Sequence, residues 1–163
     1  MGSMSGVGQP FMSTVTGTLD SKGRVCIPAP YRQILATQNT AGVFICPSFF
    51  ESALEGFGQT LLDAMHQRLS SLDPFFSPVH DDEAYAVISR TQSLPADEQG
   101  RVRLPDAMIA HAGLKDKVVF VGMSQKFQIW DAERFAPIDA ERVARVKAKR
   151  EREIAKMNGG EGA

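Results

Sequence analysis

Four cationic side chains stand in two short turns of closely similar sequence. Lys22 and Arg24 lie in "LDSKGRVCIP" (Leu19 to Pro28), and Arg101 and Arg103 in "ADEQGRVRLP" (Ala96 to Pro105). Ammonium and guanidinium groups carried on a turn suit phosphate oxygens, and a guanidinium also suits the paired acceptors of a guanine edge. The competing chemistry is internal. Asp20 beside the first pair, and Asp97 and Glu98 beside the second, can hold the same charges in solvated ion pairs worth about 0–1 kcal/mol each. Recurrence weighs against solvation alone, because unselected turn charges have no reason to return at a fixed spacing. Asp20 and Asp97, Gly23 and Gly100, Arg24 and Arg101, Val25 and Val102, and Pro28 and Pro105 all match at one offset of 77 residues, five matches in nine positions.

The elements that must position these groups repeat as well. Asp20 and Asp97 can cap each turn through the side chain, and Gly23 and Gly100 supply a positive φ at little cost. Arg24 to Ile27 and Arg101 to Leu104 alternate like half-buried strands. Pro28 and Pro105 then fit the first turn of a helix, with Tyr31, Ile34 and Leu35 on one face of the first, and Met108 and Ile109 inward in the second, which stops at Gly113. Strands follow at Gly42 to Cys46, at Lys117 to Gly122 and at Lys126 to Trp130. The counterpart of the last, near Phe49 to Leu54, is degraded because "ESALEGFG" alternates poorly. Leu61, Leu62, Met65, Leu69 and Leu72 form an apolar helical stripe stopped by Asp73-Pro74, "EAYAVISR" reads as helical, and a charged helix "ERVARVKAKREREIAKM" runs into a Gly-rich end that frays. The divisions are an N-terminal tail over 1–14, a first repeat with its helix over 15–75, a second over 76–145, and a charged tail over 146–163.

Composition bounds the function. At 163 residues and 43% hydrophobic, the chain can bury a core as one domain or two halves sharing one. No stretch approaches the roughly 20 apolar residues that span a bilayer, and the start has no signal-peptide pattern, so a cytoplasmic protein is expected, with Met1 to Ser3 an expression remnant. Cys26 and Cys46 lack metal or disulfide spacing and read as reduced strand or core thiols. "HDDE" (His80 to Glu83) suits a helix N-terminus better than a metal, His66 and His111 are isolated, and no cofactor is expected. Nucleotide-binding, serine-hydrolase and zinc-protease signatures are absent. Phe49, Phe50, Phe57, Phe75, Phe76 and Trp130 read as core or subunit interface, because they are not interleaved with basic residues. Net charge is −1, but residues 1–140 hold 11 Lys/Arg against 15 Asp/Glu, and residues 141–163 hold 7 against 4. Bulk charge therefore argues against nucleic acid, and local placement must carry any such function.

The residues "LDSKGRVCIPAPYR" (Leu19 to Arg32), "DEQGRVRLPDAM" (Asp97 to Met108) and "VVFVGMSQKFQIWDAERF" (Val118 to Phe135) resemble the MraZ family of bacterial transcriptional regulators, of AbrB/SpoVT-like fold. The resemblance covers roughly Val15 to Arg145. It implies a mainly β chain with α, built from duplicated half-barrels that form a double-psi-type barrel about a pseudo-two-fold, with flanking helices. It also implies a ring-shaped homo-oligomer in the cytoplasm and nucleoid, without a small-molecule substrate, binding short tandem promoter repeats in double-stranded DNA upstream of division and cell-wall genes. Lys22 and Arg24, with Arg101 in the second copy, then face the DNA, and Arg103, from the residues themselves, joins them as a candidate DNA contact. A ring answers the charge objection, since linked sites raise affinity by about 10²–10⁴ without new contacts where the spacing fits.

Departures and rivals sharpen this reading. Position 99 is Gln where the first copy has Lys22, and Arg103 stands where the first copy has Cys26. Pro95 removes an N–H before the second turn and requires an edge or bulged strand. An enzyme of related barrel, a decarboxylase that cleaves itself at an internal Gly-Ser, is disfavoured because the Gly-Ser present is Gly2-Ser3. The remaining alternative is a protein-binding module such as an antitoxin. Those chains usually contribute one half-barrel each, whereas this one has both.

Overall fold

A computed structural model describes residues 8–161; Met1 to Ser3, with the Gly2-Ser3 step, lie outside the described residues. The first copy builds β1 (Thr14–Thr18), β2 (Arg24–Cys26), α1 (Ala29–Thr37), β3 (Val43–Pro47), β4 (Leu54–Phe57) and α2 (Gln59–Ser70). After α3 (Pro78–Ala86) and a 3-10 turn (Ile88–Arg90), the second builds β5 (Gln92–Leu94), β6 (Arg101–Arg103), α4 (Asp106–Ala112), β7 (Lys117–Gly122) and β8 (Phe127–Asp131), followed by α5 (Ala132–Glu161).

The sheet order is palindromic. Six antiparallel strands run β1-β7-β8-β4-β3-β5, so the three strands on one side of the β8–β4 seam, where Glu55 opposes Gln128, mirror their repeat counterparts on the other, each side drawing on both copies. β2 and β6 form a separate two-stranded ribbon, and Val25 lies directly opposite its own repeat equivalent Val102. Both seams thus place equivalent segments face to face.

The single closed barrel expected from the sequence is not formed. The architecture is mixed α/β with two antiparallel sheets and, among the described residues, five α-helices. The six-stranded sheet ends at β1 and β5, and the three-residue ribbon strands are reached from those ends only by the single-residue bridges Leu19↔Val25 and Ala96↔Val102. Such short strands, already paired with one another, cannot extend the ladder. Pro95 follows β5 at the sheet edge, where its missing donor is tolerated.

The core is drawn from both copies. Val25, Ile27, Val102 and Leu104 from the ribbon segments pack with Tyr31, Ile34 and Leu35 of α1, Met108 and Ala112 of α4, and Ile45, Leu54, Phe120, Phe127 and Ile129 of the sheet. Both proline-led helices bury the expected faces, and α4 ends at Gly113 in the left-handed conformation, φ 60°. Phe11, in the segment read as tail, is 1% exposed and packs edge-on to Tyr31 at 5.5 Å, while the Tyr31 hydroxyl donates to the Ser13 carbonyl at 2.6 Å.

Elsewhere the sequence expectations need amendment. The second strand of the first copy forms as β4, displaced toward Phe57. Of the α2 stripe only Leu69 is fully buried. The expected "EAYAVISR" helix begins earlier, at Pro78 behind the Ser77 cap, and tightens to a 3-10 turn after Val87. A compact unit ends at Asp131, and a second begins at Ala132. Described by itself, α5 is helical through Pro137 and Gly159-Gly160 to Glu161, and residues 141–160 are exposed throughout. Its ion pairs include Arg145–Glu141 and Arg150–Glu153.

Candidate nucleic-acid interface

The two turns are built from the same bonds. In the first, one Asp20 oxygen accepts from the Lys22 and Arg24 amides at 2.9 and 2.8 Å, and the other from Arg24 Nε at 2.8 Å. In the second, Asp97 accepts from the Gln99 and Arg101 amides at 2.9 Å each and from Arg101 Nε at 2.7 Å. Gly23 and Gly100 close the turns at φ 77° and 81°, donating to the Asp20 and Asp97 carbonyls. The turns then lock each other, since the Ile27 amide donates to the Gly100 carbonyl at 3.0 Å and the Leu104 amide to the Gly23 carbonyl at 2.8 Å.

The internal ion pairs engage one nitrogen of each arginine. Nε of each is committed to its own aspartate. Among the described residues, Arg24 leaves its two terminal nitrogens to solvent, while one terminal nitrogen of Arg101 donates to the Gln99 side chain at 2.9 Å. The aspartate thus orients each guanidinium as well as neutralising part of its charge.

The ribbon register gathers the charges. Val25 and Val102 point into the core, so the alternating positions Arg24, Cys26, Arg101 and Arg103 point out together. Arg24 stands directly opposite Arg103, and Cys26 opposite Arg101. Like charges directly opposed across a strand pair are destabilising, and an anionic partner relieves that cost. Lys22 lies exposed in the adjoining turn. All four residues singled out by sequence thus belong to one ribbon and its turns.

Arg32 was not among them. It reaches from α1 to the second turn, donating through Nε to the Ile27 carbonyl at 3.0 Å, and its guanidinium lies over Gly100. No local motif marks it, because the contact exists only once the copies are opposed. It makes the two glycines unequal. A Cβ on Gly100 would stand 2.6 Å from Arg32, whereas one on Gly23 would meet Ile109 at 3.4 Å. Both positions carry left-handed strain of about 1–3 kcal/mol for an L residue. Gly100→Ala is expected to lower the melting temperature further than Gly23→Ala, and equal shifts would contradict this packing.

The aspartates also set a pH dependence. Hydrogen bonds from the Arg24 amide and guanidinium and the Lys22 amide hold the Asp20 carboxyl below the usual carboxylate range, and those from Arg101 and Gln99 do the same for Asp97. Folded values below the unfolded value of about 3.9 give a stabilisation that is complete above that pH and lost as pH falls through the lowered values. Melting temperature is expected to fall less steeply below pH 4 in Asp20→Asn/Asp97→Asn than in the parent, and an identical slope would show that the turns do not titrate with folding.

The remaining features are placed as follows. Cys26 is exposed on the ribbon face, and Cys46 is buried, its thiol pushed up to about 11 by burial. In the "HDDE" segment, Glu83 pairs with Arg68 at 2.6 Å and His80 contacts Asp81 at 3.0 Å. Among the described residues there is no group of three or more His, Cys, Asp or Glu able to hold a metal, and no helix long and apolar enough to cross a membrane. Phe57 and Trp130 are core residues, while Phe49, Phe50, Phe75 and Phe76 are 68%, 88%, 85% and 86% exposed.

Comparison with known proteins gives this geometry a family. Residues 87–156 match the model of the family described as "MraZ protein, putative antitoxin-like". A protein named transcriptional regulator MraZ from Xanthobacter autotrophicus is 41% identical over 124 residues, covering 76% of this chain and 78% of its own. Proteins of the same name from Azorhizobium caulinodans and Pelagibacter ubique are 41% and 34% identical over 125 residues each, covering 77% of this chain and 79% and 80% of theirs. With that identity sustained across three quarters of its length, the chain belongs to the MraZ family.

Proposed function

We propose that this chain is a transcriptional regulator that binds DNA through the β2–β6 ribbon and its two turns, and that a ring-shaped homo-oligomer engages short tandem repeats in a promoter of division and cell-wall genes. The observation that carries this reading is the convergence of Arg24, Arg101 and Arg103 on one outward face, with Lys22 beside them. The names of the relatives support a role in transcription. The four exposed phenylalanines supply apolar surface of the kind subunits bury against each other. Several weakly charged faces held in a ring then bind by avidity what one acidic body cannot. The cytoplasm and nucleoid are the setting this activity requires. The palindromic strand order supports descent of the two halves from duplicated half-barrels of AbrB-like type.

The family description favours one second reading, an antitoxin-like module that binds a protein. A mobility-shift assay against DNA upstream of the protein's own gene separates the two. Retardation that survives excess scrambled competitor is expected, and no shift, or a shift erased equally by scrambled DNA, would overturn the promoter-binding reading.

A further inference from the structure

We propose that Arg32, reaching across from the first copy, supplies the second turn with the positive charge that the first turn has in Lys22 and the second lacks at Gln99. This rests on the reading of the turns as DNA-facing. The aspartate-centred bonds of the two turns match, yet their cations differ: Lys22 in the first is matched by neutral Gln99 in the second. The second turn also carries Glu98 where the first has Ser21. Taken alone, it would offer DNA the weaker field.

The pseudo-two-fold brings a replacement from a distance in sequence. Positions 32 and 109 are equivalent, and each lies over the opposite copy's turn glycine. At 109 the residue is Ile, whose methyl would lie 3.4 Å from a Cβ on Gly23. At 32 it is Arg, whose Cδ, Nε and Cζ would lie 2.6 to 2.8 Å from a Cβ on Gly100. The copy whose turn has its own lysine is thus covered by an apolar side chain, and the copy without one is covered by a guanidinium.

The Arg32 bonding leaves this charge available. Nε donates to the Ile27 carbonyl, a neutral acceptor, so no carboxylate cancels it through that bond, unlike Arg24 and Arg101. The side chain is half-buried and lines an open groove of about 480 Å³ that also includes Ala96, Asp97 and Gly100. A phosphate touching Gln99 or Arg101 falls within the screening length of about 8–10 Å of a guanidinium seated on Gly100. At that range a unit charge changes affinity by about two- to fivefold per engaged subunit.

The test uses the full chain on upstream promoter DNA, reading affinity by fluorescence anisotropy across a salt series, with oligomeric mass checked for each variant. Arg32→Gln is expected to bind more weakly by about two- to fivefold for each engaged subunit, the factors multiplying over the ring, with a shallower salt dependence. Arg32→Lys is expected to keep the wild-type salt dependence, and adding Gln99→Lys to Arg32→Gln is expected to restore it. A structural role alone predicts no rescue by a lysine placed at 99. Wild-type binding by Arg32→Gln, or failure of both lysines to restore the salt slope, would overturn the inference. Lys22→Gln, run in parallel, separates the premises: if it weakens binding and Arg32→Gln does not, only the role of Arg32 falls, and if neither does, the turns are not the DNA surface.

Discussion

Lys22→Ala/Arg24→Ala is expected to lose specific DNA binding while keeping its oligomeric mass. Arg24 is the better placed of the ribbon arginines to read a base. Asp20 fixes its orientation through Nε, and its terminal nitrogens remain available, whereas Arg101 spends one on Gln99. Loss of a bidentate guanine contact costs about 1–3 kcal/mol on the specific site, and loss of a phosphate contact by Lys22 lowers binding on all sequences and reduces the salt slope by about one. In a ring these losses accumulate over every engaged subunit. Arg101→Ala is expected to have the smaller effect, because Asp97 and Glu98 already depress the field of the second turn. Full-strength binding by the intact double variant would remove the first turn from the interface.

Replacing exposed phenylalanines is expected to have the second large effect, on assembly. Phe49 and Phe50 stack edge to face at 4.8 Å, and Phe75 and Phe76 follow Asp73 in a turn whose carboxylate accepts from both their amides, so each pair is presented on an ordered support. Fully burying one phenylalanine side chain gains about 1.5–3 kcal/mol, so a double substitution removes several kcal/mol from each contact that uses a pair. Light scattering at micromolar concentration should give a multiple of 17.8 kDa for the parent. Phe49→Ser/Phe50→Ser or Phe75→Ser/Phe76→Ser should give a lower mass at unchanged circular dichroism. A parent mass of one chain would refute the ring.

Much of the site was legible because turns carry local signals. Asp20, Gly23 and Pro28, and their counterparts at 97, 100 and 105, specify a capped turn, a left-handed residue and a helix start from neighbouring residues alone. β4 was blurred for the opposite reason. Leu54, Gly56 and Phe57 are all buried, so alternation fails, and Gly56 is small because the Phe127 ring of the facing strand occupies the space a side chain would need. Phe11 looked like tail because its partners Tyr31, Phe127 and Ser124 lie far along the chain. The α2 stripe was overread, since helical spacing reports amphipathicity and not whether this chain or another surface covers the face. Arg32 and the outward grouping of three arginines depend on how the copies are opposed, a relation between segments 77 residues apart that no local pattern encodes.

The central claim, that the β2–β6 ribbon face meets DNA, is tested most directly by alkylation of Cys26. Its thiol stands on that face opposite Arg101, while Cys46 is buried with its thiol pushed up to about 11 and serves as the internal control. Mass spectrometry after brief iodoacetamide treatment at pH 7.5, a condition set by thiol chemistry at about one unit below an ordinary cysteine, reports both sites. In free protein Cys26 should react and Cys46 should not. Saturating promoter DNA should protect Cys26 strongly, scrambled DNA at the same concentration only weakly, and Cys46 should be unchanged in either. Equal Cys26 reactivity with and without bound promoter DNA would place the DNA on another surface and contradict the account.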